Sequence, residues 1–224
     1  MQISTLSSNH WNLLSNLVNH FDEHGGYSYV QQFIHEQNVL PVKLRFKLSA
    51  VRQFFLSIQT KMQFVFENNQ HFLLLSRYDR QILLRQTIEH RTILGALFAI
   101  RQHQLFDNVS FYHSTELIFQ SQATTFMRQI TDRLDLDDTL IKLIMAILSF
   151  STNNSTVYTK STKTTFFLNI RRILAIQNLY VDLTWRYILY KYGYVESILK
   201  FNKLIQCIFL VNDVIVHAYE SQEF

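Results

Sequence analysis

Residues that make turns are scarce in this chain. Its 224 residues include only four glycines and one proline, whereas β-sandwiches and α/β folds need many of both at their turns. The single cysteine, Cys207, excludes an internal disulfide and any zinc module built on several cysteines. The composition therefore predicts long helices and a reducing compartment.

Charge is sparse as well. The 21 basic residues exceed the 17 acidic ones by four, but they are scattered, which argues against direct binding to DNA or RNA. No stretch reaches the roughly 18 uncharged apolar residues that a membrane helix needs, and residues 1–16 lack the pattern of a secretory signal. Hydrophobic residues make up 48% of the chain, which is enough for a large core. We expect one folded, intracellular domain over residues 1–224, with its core at 8–220.

Apolar residues recur at helical spacing along most of the chain. The pair Gly25 and Gly26 is expected to end the first helix, and residues 27–41 are interpreted as a linker. Residues 105–113 are interpreted as a short β-hairpin or an irregular connection, and residues 151–165 as a surface loop. The predicted helices cover residues 8–21, 43–69, 79–104, 116–133, 138–150, 166–192 and 195–219.

Catalytic and metal-binding patterns are incomplete. His35 and Glu36 lack the second histidine of a zinc-protease helix, and His20 and His24 stand beside the glycine pair that ends their helix. The acidic residues at 132–138 fit the start of a helix, where negative charge is favoured. We expect no enzymatic activity, no cofactor and no metal site.

One run of residues resembles the signature of nuclear receptor ligand-binding domains, in which aromatic-Ala-Lys precedes Phe, Leu, Asp-Gln and Leu-Leu-Lys at fixed spacings. The chain carries at these spacings Val65-Phe66-Glu67, Phe72, Leu75, Asp79-Arg80 and Leu83-Leu84-Arg85. Similar landmarks follow in the family's order at residues 134–138, 149–151, 176–183 and 200–205. The N-terminal helix is most similar to that of the vitamin D receptor-like group.

The resemblance implies a fold, a cellular location and a class of ligand. The fold is an all-α, three-layer antiparallel helical sandwich with at most a short β-hairpin, and the place is the nucleus. The family holds a small lipophilic ligand in an apolar pocket. The pocket positions carried onto this chain are Phe54, Phe55, Ile58, Met62, Leu94, Phe98, Ala99 and His217. Plain core packing is the alternative for each apolar residue, and the bulky phenylalanines leave open a pocket filled by side chains.

The family's second site is a groove that receives a short Leu-x-x-Leu-Leu helix of a coregulator. Where the family has a lysine that faces the negative end of the bound helix, this chain has Glu67. No segment after residue 219 corresponds to the family's acidic last helix. We therefore expect weak coregulator binding and no ligand-responsive lid. The groove positions are Gln63, Glu67, Phe72, Arg80, Gln81, Leu84 and Arg85.

The family pairs through its tenth helix, which corresponds to residues 195–219. A dimer with itself or with another nuclear receptor ligand-binding domain is expected through Ile205, Ile208, Phe209 and Val216; burial of these residues inside the chain is the alternative. Two functions stay open: a ligand-binding domain that regulates transcription, and a ligand-independent interaction protein that sequesters full-length receptors. Neither is expected to bind DNA directly, because the family's DNA reader needs several zinc-binding cysteines.

Overall fold

The computed structural model of the chain describes residues 6–134, 137–152 and 166–220. All regular structure in these ranges is helical, which confirms the predicted all-α class, while the three-layer order stays a prediction. The predicted loop at 151–165 lies outside the described residues from 153 onward. The α-helices are α1 (Ser8–His24), α2 (Tyr27–Val39), α3 (Leu48–Glu67), α4 (Gln70–Leu73), α5 (Arg77–Gln102), α6 (Val109–Phe119), α7 (Ser121–Arg133), α8 (Asp138–Ser149), α9 (Ile170–Tyr192) and α10 (Tyr194–Glu220).

The predicted linker after the glycine pair is wrong, because α2 occupies most of it. Gly26 has a φ of 93°, a left-handed conformation that glycine adopts without strain, so the pair redirects the chain into a new helix. Val30, Phe33 and Gln37 form the buried face of α2. The Gln37 side-chain oxygen accepts the Phe46 backbone N–H at 2.7 Å, which ties α2 to the segment before α3.

The helix α5 contacts α3, α7, α8 and α10. It runs antiparallel to α3, since Met62 approaches Gly95 while Phe66, further along α3, contacts Arg91, further back on α5. A Cβ atom at Gly95 would lie 3.2 Å from the Met62 sulfur. Glycine therefore allows the two helices to approach closely at this point.

Residues 105–113 are helical, so the expected β-hairpin is absent from this described segment. A short 3-10 turn at Leu105–Asp107 leads into α6. The Asn108 side chain accepts the backbone N–H groups of Ser110 and Phe111 at 3.0 and 3.1 Å, a helix N-cap that asparagine favours. The aromatic and β-branched residues there favour a strand by propensity alone, but the cap and the burial of Phe111 stabilise a helix.

The single helix predicted over 116–133 is two helices in the structure. The chain breaks between α6 and α7 at Gln120, which has a φ of 69° and a ψ of 164°. A second break, between α9 and α10, falls at Gly193 with a φ of 73°. The break at Gly193 agrees with the gap between the predicted helices 166–192 and 195–219, whereas the break at Gln120 carries no sequence signal.

Asp137 joins the start of α8 to the end of α9. Its carboxylate accepts the Leu140 backbone N–H at 3.3 Å, the Tyr187 and Tyr192 hydroxyls at 3.0 and 2.5 Å, and Lys191 Nζ at 3.0 Å. Burial by itself raises the Asp137 pKa, but these hydrogen bonds and the lysine charge outweigh it and lower the pKa below its usual value. The predicted acidic helix start is thus also a link between two helices.

Candidate ligand-binding site

A cavity of about 290 Å³ lies between the α1–α2 turn, α3, α5 and α8, and we call it the α8 cavity. Its volume is near the lower end of the range of about 300–1,000 Å³ that is typical of ligand sites. Its walls are mainly apolar. The apolar lining consists of Phe21, Val30, Ile58, Met62, Phe98, Ala99 and Met145, and the polar lining of Asp22, Tyr27, Gln102, His103, Asp138 and Lys142, with three glycines between them.

Four of the predicted ligand contacts line this cavity: Ile58 and Met62 from α3, and Phe98 and Ala99 from α5. The other four, Phe54, Phe55, Leu94 and His217, do not line it. Phe54 and Leu94 are buried in the hydrophobic core, where the Phe54 ring packs against Phe33 and Phe111. For these two residues the alternative of core packing describes their position.

Lys142 is the buried charge at the polar edge of the α8 cavity. Its ammonium pairs with the carboxylates of Asp22 on α1 and Asp138 one turn earlier on α8. The two carboxylates are partly exposed, whereas the lysine side chain is buried. The pairs satisfy a charge that would otherwise be costly in the interior.

His103, which directly follows the end of α5, also lines the cavity. Burial lowers the His103 pKa, which keeps the imidazole uncharged at neutral pH. Its ring Nε2 is buried and finds no hydrogen-bond partner in the described part of the chain. The site thus combines an apolar lining, a lysine whose charge is paired with two carboxylates, and a buried ring nitrogen.

A second space of about 370 Å³, which we call the α10 cleft, lies between α3, α5, α6 and α10. Phe55 is the predicted ligand contact that lines it, together with Ile93, Ile118, Phe119 and Ile215. His217 lines neither space, and its ring packs against Phe126 with the centroids 5.1 Å apart. Burial raises the pKa of Glu89 at the polar side of the cleft.

The predicted coregulator groove is only partly accessible. Gln63, Gln81 and Arg85 are exposed, and Glu67, Arg80 and Leu84 are half-buried. Phe72, expected in the floor of the groove, is 2% exposed and packs against Phe150. It belongs to the core and presents no surface to a bound peptide.

Glu67 has neighbours within the chain. Its carboxylate accepts the Gln63 side-chain N–H at 2.7 Å, and its charge acts on buried Arg91. Burial lowers the Arg91 pKa to about 9, and Glu67 opposes that shift. The acidic residue therefore has a role in the fold that the sequence did not indicate.

The predicted dimer residues differ in exposure. Ile205 and Phe209 are 37% and 63% exposed, while Ile208 and Val216 are half-buried. Ile198 and Leu199, which the prediction missed, extend the exposed face toward the start of α10. We call Ile198, Leu199, Ile205 and Phe209 the α10 stripe.

No protein-family model matches the chain, and no curated protein matches it. Within the described ranges, no group of three or more histidine, cysteine, aspartate or glutamate side chains could hold a metal ion. None of the helices in the described ranges is both long and apolar enough to cross a membrane. The nuclear receptor resemblance therefore rests on the sequence motifs.

Proposed function

We propose that this chain is a ligand-binding domain of the nuclear receptor type, which holds a small lipophilic molecule in the α8 cavity and regulates transcription in the nucleus through protein partners. The observation that carries the proposal is the position of Ile58, Met62, Phe98 and Ala99. The resemblance marks all four as ligand contacts, and all four line one cavity. Contacts of α5 with α3, α7, α8 and α10 accord with the three-layer helical sandwich of this family.

The coregulator groove is the weaker part of this function. Glu67 reverses the charge that the family places against the end of a bound helix, and Phe72 is buried. Transcriptional output then depends mainly on other contacts. We expect Leu-x-x-Leu-Leu peptides to bind weakly.

Filling the cavity tests the proposal. The chain is titrated with N-phenylnaphthylamine, a neutral dye whose fluorescence rises in apolar sites. We expect Ala99→Phe to weaken dye binding about tenfold or more, because the added ring occupies the cavity. Ala175→Phe is the matched control, since Ala175 is exposed on α9. Equal dye binding by the two variants, or no binding by the unmodified chain, would contradict a ligand role for this cavity.

A second candidate function is a ligand-independent interaction protein that pairs with full-length receptors. The exposed α10 stripe favours it, because an apolar face of this kind is typical of interaction sites. The two candidates differ in what occupies the α8 cavity. Native mass spectrometry after extraction from cells separates them: a bound small molecule supports the receptor domain, and an unliganded protein that pairs with a receptor domain supports the interaction protein.

A further inference from the structure

The connection between α2 and α3 presents apolar side chains to solvent. We call residues 39–48, which include the last residue of α2 and the first of α3, the α2–α3 loop. Single exposed apolar residues are ordinary in proteins, but a cluster of them is typical of an interaction site. The exposed apolar side chains of the α2–α3 loop are Val39, Leu40, Val42, Leu44 and Leu48.

Hydrogen bonds fix the backbone of the α2–α3 loop. The Arg45 guanidinium donates to the Leu40 and Asn38 carbonyls, both at 2.8 Å, where α2 ends. Phe46 is buried, and its carbonyl accepts the Ser114 hydroxyl of α6 at 2.8 Å. The exposed side chains therefore stand on a preorganised backbone, which lowers the entropic cost of binding a partner.

The charge of this surface is positive. Residues 37–66 contain no aspartate or glutamate, while Lys43 and Lys47 are exposed among the apolar side chains of the loop. Neither lysine forms an ion pair with a described residue. Glu36 on α2 and Glu116 on α6 each accept a hydrogen bond from a residue of their own region, at 2.8 and 3.3 Å. The α2–α3 loop is therefore complementary to a partner that carries negative charge.

Two classes of partner combine negative charge with apolar surface: an anionic membrane and an acidic protein segment. Membrane-binding surfaces gather about four to eight lysines and arginines. The loop offers two free ammonium groups, because the Arg45 guanidinium is engaged by backbone carbonyls and Arg52, further along α3, lines the α10 cleft. A fluid lipid surface also gains nothing from a fixed arrangement of side chains, whereas a protein partner does. The observations favour the protein segment.

We infer that the α2–α3 loop binds a short segment of a partner protein in which aspartate or glutamate residues stand among apolar ones. The apolar side chains of that segment pack against Val42 and Leu44, and its carboxylates pair with Lys43 and Lys47. No residue of the loop belongs to the α8 cavity, the predicted coregulator groove or the α10 stripe, so the inference does not depend on the proposed ligand.

Selection from a library of short random peptides displayed on phage tests the inference. The chain is immobilised, and the peptides it retains are synthesised and titrated by fluorescence anisotropy against the unmodified chain and its variants. We expect one group of peptides to combine acidic with apolar residues and to lose affinity about tenfold or more in Leu44→Ser and in Lys43→Glu. The inference is overturned if no retained peptide loses affinity in Leu44→Ser, or if those that do lack acidic residues.

Each variant has a matched control. Leu74→Ser changes a leucine that is 57% exposed, against 51% for Leu44, and that lies beyond the opposite end of α3. Lys61→Glu reverses the charge of an exposed lysine further along α3. Both controls should bind the acidic peptides like the unmodified chain.

Two further measurements test the other possible occupants of the loop. If the chain sediments with vesicles of phosphatidylcholine and phosphatidylserine and Leu44→Ser abolishes this binding, a membrane covers the loop and the inference is wrong. If sedimentation equilibrium shows a dimer that Leu44→Ser dissociates, a second copy of the chain covers the loop and the inference is equally wrong. Circular dichroism checks the fold of each variant. Should Leu44→Ser not fold, Val42→Ser, at a 73% exposed valine, takes its place.

Discussion

Arg91 is a fully buried arginine on α5, with 1% of its surface exposed. Its guanidinium lies over the Phe66 ring, 4.5 Å from the centroid, and its Nε donates to the Thr87 carbonyl at 3.2 Å. Its Nη2 has no hydrogen-bond partner among the described residues. The nearby negative charge of Glu67 therefore opposes the cost of burying this cation.

Reversing the charge at Glu67 is expected to destabilise the fold. Glu67→Lys places a second cation near Arg91, and we expect the free energy of unfolding to fall by about 1 kcal/mol. Unfolding in urea measures this fall in the free energy of unfolding. Gln63→Lys adds a lysine at an exposed position one turn earlier on the same helix and should change stability little. Equal loss in both variants would show that Arg91 does not respond to Glu67.

Asp137→Asn tests the link between α8 and α9. The Asp137 pKa is lowered in the fold, so its carboxylate stabilises the chain above its unfolded pKa, and this stabilisation is lost as pH falls through the folded pKa. We expect the variant to be about 2 kcal/mol less stable near neutral pH. The difference should shrink when unfolding is measured below about pH 4.

A matched control for this pH dependence is Asp132→Asn, at an exposed aspartate on α7. The free energy of unfolding of this variant should equal that of the unmodified chain at every pH. A constant gap between Asp137→Asn and the unmodified chain down to low pH would mean that hydrogen-bond geometry, rather than the charge of Asp137, holds the two helices together.

The sequence indicated some of the site residues but missed its polar groups. Ile58 and Met62 on α3 were expected from the motif, whereas His103 and Lys142 belong to no motif. Lys142 did carry a signal: it is the one charged residue among the apolar positions 140–148 of α8, and a lysine buried with such a helix needs carboxylate partners. The partner Asp22 lies 120 positions away in sequence, which no local pattern identifies.

The sequence predicted helix ends most accurately where the local capping and periodicity signals are strong. The ends of α5, α8 and α9 were predicted to within about two residues, except that α9 begins four residues later than expected, at Ile170. The helices that the sequence did not predict lie in segments whose local signals are ambiguous. The α2 segment follows two glycines, and the packing of Val30 and Phe33 and the Gln37 hydrogen bond to Phe46 help to stabilise it as a helix.

The break between α6 and α7 is a strained element end. Gln120 adopts a φ of 69° and a ψ of 164°, a backbone region that is almost exclusive to glycine. Gln120→Gly is expected to raise the free energy of unfolding by about 1 kcal/mol, because it relieves this strain. Gln122→Gly, inside α7 and exposed, should lower it by about 1 kcal/mol. Chemical denaturation of both variants measures the effect, and destabilisation in both would show that Gln120 is unstrained.

At the scale of the whole molecule, α3 and α5 line both the α8 cavity and the α10 cleft. Ile58, Met62 and Phe98 face the α8 cavity, while Phe55 and Ile93 face the α10 cleft. A ligand that changes the packing of α3 against α5 therefore acts on the cleft beside α10 as well. The pair of helices gives the proposed ligand site a physical connection to the surface of the last helix.

The α10 stripe is expected to pair two copies of the chain, or this chain with another nuclear receptor ligand-binding domain. Ile198, Ile205 and Phe209 recur at helical spacing and are 40%, 37% and 63% exposed, so they form one apolar face that the described part of the chain leaves exposed. Burying a fully exposed side chain of this kind contributes about 1.5–3 kcal/mol, and each residue of the stripe contributes the share of its surface that is still exposed. Phe209→Glu should therefore weaken the dimer at least tenfold.

The matched control for this prediction is Leu117→Glu, at a 58% exposed leucine on α6, which should dimerise like the unmodified chain. Sedimentation equilibrium over a range of concentrations gives the dissociation constants; an unmodified chain that stays monomeric at high concentration, alone and with a retinoid X receptor domain, would leave the stripe without this role.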